Sequence, residues 1–524
     1  MRKRLIYFFA LLLAGSAALQ SCKKDKKDTG TPSGPPTTGT RDELTKDSIY
    51  LYTKELYYWN SSLPDYATFN PRKYSSNEAE LFALTQFSNN PETSKPYEYV
   101  DGKEPKYSFI DDGTVSGQLG GQGGDYGFSV KADPDRNVRV SSVYATSPAA
   151  TAGLKRGFKV TKVNGTTVDL TSQTSVDAIN NGIFGGNSNV KLTVVDNNGA
   201  SKDVTVTRGF YNLNPILYTH VYTVGAKKVG YIVYNSFTSD TTKIQSAFSS
   251  FEGQGVSELV IDLRYNGGGY VSTSGYMANS IAPASQTGKV MFTYYFNQYL
   301  QNLTTTQRKS SVLIHQPILD EDGEIQPSSQ AINGKYYTYA DVGYQPTDNQ
   351  GNVEHFSKKG GLNINRVYFI VSGSTASASE LLINNLRPVL SEVKLIGTTT
   401  YGKPVGFFGI HIDKIDIYTP EFETKNQSNT GGYYSGMKVD QDAVDDVTHD
   451  WGDVNETELR YALNYAGTGS FTGTAVVIAG AKAVTLSKQN AATDLTATEQ
   501  ATINRKLDPG KFNGMILDHL RGKR

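Results

Sequence analysis

Arg366-Val367-Tyr368-Phe369-Ile370-Val371 is followed by Ser372-Gly373-Ser374-Thr375-Ala376, and then by Ser377-Ala378-Ser379-Glu380-Leu381-Leu382-Ile383-Asn384-Asn385-Leu386. The first six residues, rich in β-branched and aromatic side chains, read as a buried strand. A small-residue turn interrupts them, and the apolar spacing beyond it predicts a helix over 377–386. The same alternation surrounds this unit. Strand-type runs occur at 229–234, 258–263 and 393–397, with a second helical stretch at 244–252. Buried strands alternating with helices place an α/β domain from Lys228 onward. Residues 296–360 interrupt it with a polar, Tyr/Gln/Asn-rich insertion that fits no element of the pattern, and 456–465 reads as a helix.

Upstream of that domain the pattern changes twice. Between Tyr126 and Arg208 short β-type runs dominate, at 127–130, 138–140, 159–163 and 190–195. Ser147-Pro148-Ala149-Ala150-Thr151-Ala152-Gly153-Leu154 predicts a short helix, with Pro in its first turn and Gly at its end. Asn164-Gly165 predicts a hairpin turn. From Asp42 to about Tyr107 apolar residues recur at helical spacing (Ile49, Tyr50, Leu51, Leu56, Tyr57, Trp59, Leu81, Leu84), which predicts a small helical domain. The Gly-rich segment 113–127 separates the two and holds no GxxxxGK[ST] phosphate loop.

The first residues are read as an export signal. Arg2, Lys3 and Arg4 precede an apolar run over 5–19 that is short for a bilayer span. It ends in Leu19-Gln20-Ser21-Cys22, similar to the lipobox of bacterial lipoproteins, with the only cysteine of the chain at the lipidation position. Residues 23–40, charged and rich in Pro, Gly and Thr, cannot bury a core and read as a tether.

Composition narrows the chemistry. Lys plus Arg and Asp plus Glu both number 51, so the basic footprint of a nucleic-acid binder is missing. One cysteine excludes a disulfide framework, and six scattered histidines without HxH or HExxH spacing argue against a metal centre. No cofactor is expected.

Three segments carry residues suited to catalysis. Ser377 begins a helix directly after a strand, where free amide groups converge, and Ala376 and Ala378 leave room beside it. Ser377-x-x-Glu380 is equally a capping box, and the turn by itself leaves both roles open. Thr398-Thr399-Thr400-Tyr401-Gly402-Lys403-Pro404-Val405 follows the strand at 393–397. Lysine can activate a serine only when burial draws its pKa down, and Tyr401, Pro404, Val405, Phe407 and Phe408 give Lys403 an apolar setting. A lysine at an exposed loop tip is the other reading. Asp262-Leu263-Arg264-Tyr265-Asn266-Gly267-Gly268-Gly269 closes a third strand, and its glycine amides can approach a developing oxyanion or simply form a turn.

Together these segments resemble the carboxy-terminal processing peptidases, the Ser–Lys family (S41) also called tail-specific proteases. The family's DLR-x-N-x-GG, S-A-S-A-S-E and T-[FY]-G-K motifs appear in order as DLRYNGGG, TASASE and TYGK. The resemblance covers roughly residues 42–465. It implies Ser377 as nucleophile, Lys403 as general base, and the amides of Gly268 and Ala378 as the oxyanion hole. The SPAATAGLKRGFKVTKVNG segment resembles a PDZ domain of the bacterial protease type, which implies that Tyr126, Gly127 and Phe128 receive a peptide carboxylate while the peptide adds a strand. The fold implied is an α/β catalytic core (ClpP/crotonase-like) with an N-terminal helical domain and an inserted β-rich PDZ domain.

The chain is accordingly divided into a signal peptide (1–21), a lipidated Cys22 with tether (22–41), the helical domain (42–115), the PDZ domain (116–213), the peptidase domain (214–465) and a segment of open role (466–524). The expected partners are polypeptide C-termini and, through the lipid on Cys22, a bacterial cell-envelope membrane on its periplasmic or outer side, with no nucleic acid. Two departures stand out. Many members carry Gln four residues after the lysine, where this chain has Phe407, and Lys403 follows Ser377 by 26 residues, one more than in many members. Two other readings remain. One is a non-catalytic peptide- or ligand-binding lipoprotein on the same fold, as the interphotoreceptor retinoid-binding proteins look to be. The other is a Ser-His-Asp hydrolase using His411, which lacks a G-x-S-x-G elbow around Ser377.

Overall fold

A six-stranded sheet organises the larger part of the structure, a computed structural model that describes residues 35–100, 104–319, 324–473, 476, 478, 495–507 and 514–517. The expected signal peptide and Cys22 lie outside the described residues. In chain order the elements that position the site are α1 (Arg41–Leu56), α2 (Asn77–Thr85), β1 (Phe128–Ala132), β2 (Val138–Val143), β3 (Lys159–Val163), α3 (Gln173–Ile179), β4 (Asn189–Val195) and β5 (Ser201–Thr207). They continue with β6 (Ile216–Val224), β7 (Lys227–Tyr234), α4 (Thr242–Gly253), β8 (Glu258–Asp262), β9 (Gly268–Tyr270) and α5 (Val271–Ile281). The last are β10 (Arg366–Val371), α6 (Ala378–Leu386), β11 (Glu392–Gly397), β12 (Gln441–Asp442), α7 (Thr457–Thr468), α8 (Ala497–Lys506) and β13 (Gly514–Ile516).

The central sheet runs β6-β7-β8-β10-β11-β12, with β6 antiparallel to β7 and the other pairs parallel. Its inner strands are buried on both faces, as parallel strands covered by helices must be. Side chains alternate between two apolar layers. Ile232, Leu259, Ile261, Val367 and Phe369 face α4, α5 and α6 in the main core, while Tyr231, Val260, Tyr368 and Ile370 face α7. Glu258, Arg366 and Glu392 stand opposite one another across three strands, and Arg366 bonds Glu258 at 3.2 Å and Glu392 at 2.7 Å.

The predicted strands and helices of this domain are present. Residues 216–224, which the sequence pattern leaves unassigned, form its antiparallel edge. The helical segment after Thr40 differs from expectation. Thr40 and Glu43 form the capping box that starts α1, but Ile49, Leu56 and Leu84 join the same core as the central sheet. Phe109–Asp111 also pairs with Ile415–Tyr418. The N-terminal helices therefore have no core of their own, because their apolar faces are finished by the peptidase sheet.

The β-rich module does have a separate core, formed on the sheet β5-β4-β3-β2-β1. Ser147 caps the expected short helix at Pro148–Thr151, its Oγ accepting from Ala150 N at 3.2 Å. Asn164 and Gly165 both take positive φ, 49° and 86°, as the two-residue turn requires. Beyond α7, α8 packs on β1, and β13 lies parallel to β9.

Candidate active site

The three sequence segments converge where parallel strands end, the position at which α/β sheets gather their loops. β8 delivers the glycine loop, β10 the serine turn and β11 the lysine loop. Hydrogen bonds tie them together. Thr375 Oγ1 donates to Leu263 O at 2.8 Å, Ala376 N to Asn266 O at 3.1 Å, and Tyr401 N to Thr375 O at 3.0 Å.

Ser377 is fully buried and holds φ 61°, ψ −110°, a conformation that L-residues rarely adopt. Such strain persists only where surroundings impose it, and it concentrates at functional turns. Its backbone N–H donates to Glu380 Oε2 at 2.8 Å, the carboxylate half of the predicted capping box. The hydroxyl half is not used, for Ser377 Oγ has no hydrogen-bond partner. The cap thus rests on the carboxylate, and the buried hydroxyl is left without a partner. Ala378, the first residue of α6, presents an amide with no intrahelical acceptor beside it.

Lys403 is buried rather than exposed at a loop tip. Its Nζ donates to Tyr107 O at 3.2 Å and lies 3.8 Å from the centroid of the Phe407 ring. Phe407 therefore stands against the amine where a Gln is common in the family. Burial holds Lys403 well below the usual lysine range, against the pull of the carboxylates Glu98, Glu421 and Glu380. The Lys106 cation works in the same downward direction. Ser377 Oγ and Lys403 Nζ are not hydrogen-bonded to each other in this state.

Glu380 joins the serine and lysine loops. Its Oε2 accepts from Ser377 N at 2.8 Å and Lys403 N at 2.9 Å, and its Oε1 accepts from Gly402 N at 2.8 Å and Thr400 Oγ1 at 2.5 Å. Burial raises its pKa, outweighing these four bonds. The Ser-x-x-Glu spacing was the signal for this residue, although it pointed only to a cap.

Gly268 has φ 110°, and a Cβ there would meet Gly514 O at 2.2 Å and Ala376 O at 3.1 Å, so only glycine fits. Its amide, expected at an oxyanion, donates to Asn266 Oδ1 at 2.8 Å in this state. Arg264, two residues after Asp262, is fully buried. It reaches Asp262 at 2.7 Å, Glu456 at 2.8 Å, Glu458 at 2.5 Å and Asp445 at 3.1 Å, which fixes the glycine loop to α7.

Several contributors carried no local signal. Tyr107 gives its hydroxyl to Gly402 O at 2.7 Å, and Lys106 Nζ donates to Tyr434 O at 3.1 Å. Glu98, buried nearby, accepts from Tyr57 Oη at 2.8 Å and from Ser108 N at 2.7 Å. Arg156 of the β-rich module stacks 3.7 Å from the Trp451 ring and donates to Tyr265 Oη at 3.2 Å, which places that module against the glycine loop. His411 is exposed on a hairpin, with Nδ1 2.8 Å from Asp416 Oδ1, so it does not serve Ser377.

Tyr126, Gly127 and Phe128 lie in the β-rich module, apart from the serine and lysine loops. Gly127 N donates to Asp125 Oδ1 at 2.8 Å, and that oxygen also accepts the Tyr211 hydroxyl at 2.7 Å. A carboxylate of the chain itself thus occupies the expected anion position. Among the described residues no cluster of His, Cys, Asp or Glu could hold a metal, and no helix is long and apolar enough to cross a membrane.

Residues 228–414 match peptidase family S41, and residues 115–195 match the PDZ domain. A protein of Staphylococcus saprophyticus described as "Probable CtpA-like serine protease" is 26% identical over 249 residues, 47% of this chain and 45% of that one. A protein of the same description from Staphylococcus haemolyticus is 30% identical over 197 residues, 37% of each chain. The chain thus spans less than half the length of these relatives. A crystal structure from Bacteroides fragilis described as an S41 protease aligns with a TM-score of 0.53 at 21% identity, covering 80% of this chain and 96% of that one, a likeness of fold.

Proposed function

We propose that the chain, whose residues 228–414 match peptidase family S41 and residues 115–195 the PDZ domain, is a serine endopeptidase of the carboxy-terminal processing type acting on exported polypeptides. Ser377 is the nucleophile and Lys403 the general base. The observation that carries this reading is the unpaired, buried Ser377 hydroxyl on a strained backbone, held through Glu380 to the loop of a buried lysine.

In the reaction Lys403 Nζ, neutral, leaves its bond to the Tyr107 carbonyl and takes the proton of Ser377 Oγ as that oxygen bonds the scissile carbonyl carbon. The carbonyl oxygen becomes an oxyanion held by the Ala378 amide and by Gly268, whose amide exchanges Asn266 for the substrate. Collapse breaks the C–N bond, and the amine leaves with the proton from Lys403. Water, deprotonated by the same amine, then bonds the acyl carbon; the bond from that carbon to Ser377 Oγ breaks, Oγ takes the proton back from Lys403, and the new carboxylic acid leaves. The PDZ domain receives substrate C-termini near Tyr126, Gly127 and Phe128, and a lipid on Cys22 holds the enzyme to the envelope membrane.

Turnover of a quenched fluorescent polypeptide tests the mechanism. Ser377→Ala, Lys403→Ala and the double variant should reach one common residual rate, since dyad members act as a unit. Lys403→Arg should be equally inactive, because a guanidinium does not deprotonate in a protein. A folded Lys403→Ala protein with wild-type turnover would overturn it. The same assay separates an enzyme from a binding protein on this fold.

A further inference from the structure

The segment Gly514–Ile516 lies as a strand between the two loops that frame the serine turn. On one side it pairs in parallel with β9, in the register Gly268–Gly514, Gly269–Met515 and Tyr270–Ile516, and Gly514 N donates to Gly267 O at 2.8 Å. On the other side Phe407 N donates to Met515 O at 2.9 Å and Leu517 N to Phe407 O at 2.8 Å. β9 is itself bridged to Phe237 on its far edge. Removing β13 would leave two backbone edges facing each other across one strand's width, one on the glycine loop and the other four residues beyond Lys403.

Three features suit this gap to a polypeptide of varying sequence. The hydrogen bonds on both sides are main-chain ones, which hold an extended chain whatever its side chains, while Met515 is buried in the main core and Ile516 packs with Phe407 and Tyr418. Gly514 O approaches Gly268 beside Ala376 O, so a carbonyl of the inserted strand already sits next to the serine turn. Leu517 borders a cavity of about 270 Å³ lined by Val271, Met291 and Phe292 on one side and by Asn279, Asn352 and Glu354 on the other, a mixed lining that can receive side chains of more than one kind.

The preceding segment covers the second expected peptide site. Gln500 Nε2 donates to Ala132 O at 2.9 Å and Ala132 N donates to Asn504 Oδ1 at 2.8 Å, so α8 satisfies both backbone groups at the end of edge strand β1. Asn180, next to the end of α3, donates to Lys506 O at 2.8 Å, and Leu507 is buried in the PDZ core with Tyr126 and Phe128.

We propose that the gap between Gly268–Tyr270 and Phe407 is the strand-addition groove for the scissile polypeptide, and that residues 514–517 are its resident occupant, held in place by α8 and Leu507 on the PDZ domain. A substrate must displace this strand before it can meet Ser377, and a peptide that takes the PDZ edge loosens it. The proposal rests on the peptidase reading for the word scissile, and its test does not require turnover.

The probe is a fluorescein-labelled peptide of sequence 511–520, followed by anisotropy with Ser377→Ala protein so that nothing is cleaved. Deleting residues 508–524 should strengthen binding at least about ten-fold over the full chain, because a tethered competitor acts at high effective concentration. Equal affinity for both proteins, or no binding by a truncated protein that keeps its melting transition, overturns the proposal. Should the deletion unfold the chain, Gly514→Pro in the full chain removes the amide that bonds Gly267 O and should give the same gain. Unfolding of both variants also overturns the proposal, since the strand is then a fixed part of the core. If the binding gain holds while the truncated protein with Ser377 intact turns over no peptide, the groove stands and the peptidase reading falls.

Discussion

Lys403 Nζ donates to the carbonyl oxygen of Tyr107 at 3.2 Å, across 296 residues of sequence. A main-chain acceptor cannot be altered by substitution, and it orients the amine without adding a charge that would raise its pKa. Tyr107 also bonds Gly402 O through its hydroxyl, so one residue from the N-terminal region holds both the amine and the loop that presents it.

Tyr107→Phe removes only the hydroxyl. The loss of one buried hydrogen bond should cost about 1 kcal/mol of stability and leave Gly402 O with only the longer bond from Lys106 Nζ at 3.3 Å. Turnover should fall through kcat, with KM little changed, because the lysine loop and not the substrate groove is loosened. Steady-state kinetics beside a thermal melt check this.

The rate should depend on neutral Lys403, so kcat/KM should climb with pH and level off above the lysine's lowered pKa. Lys106, itself drawn down to about 8 by burial, is a cation below that pH and opposes protonation of Lys403. Lys106→Met removes the opposing charge, raises the pKa of Lys403 and moves the acid limb to higher pH. Activity at any pH on that limb is then lower than in the wild type and recovers as the pH rises. A limb that stays in place or moves to lower pH contradicts the assignment.

Glu380→Gln keeps the shape but can accept on one oxygen only, so two of the four donors lose their acceptor. At about 1.5 kcal/mol or more for each bond to a charged group, the fold should lose about 3 kcal/mol. Turnover should fall further than the loss of stability explains, because the Ser377 and Lys403 backbones share Oε2. Differential scanning calorimetry and kcat together separate the two effects.

At the PDZ site Asp125 stands where a peptide carboxylate would bind. Asp125→Asn removes that negative charge and should strengthen binding of a free-acid peptide while leaving an amidated peptide unchanged. Titration of both peptides by fluorescence decides the point, and equal gains for the two would exclude carboxylate capture.

The membrane proposal has its own test. Cys22→Ala should move the protein from the membrane to the soluble fraction and leave its leader unprocessed. Full retention after a carbonate wash would refute the lipid anchor.

The sequence revealed the parts of this site whose signals are local. β10, the turn at Ser377 and the lysine loop after β11 could be read because a buried strand, a small-residue turn and a helix each have their own periodicity. The sheet then brings them together by topology. Tyr107, Glu98 and Lys106 could not be read, since their role arises from packing of the N-terminal helices on a core completed hundreds of residues later. Arg156 was hidden in the same way, a cation whose meaning comes from Trp451 and Tyr265. β13 is three residues long, too short for any periodicity, and its strand character comes wholly from the two edges it joins.

The Glu258–Arg366–Glu392 rung lies at the ends of β8, β10 and β11 remote from the glycine, serine and lysine loops. Every side chain in these strands alternates faces, so a slip of β10 by one residue would part both ion pairs, turn Tyr368 and Ile370 into the wrong layer and carry Ser377 about 3.3 Å along the strand from its partners. The rung thus acts as an alignment key: the register that keeps both ion pairs at one end of the sheet is also the register that sets the spacing of the serine and lysine loops at the other.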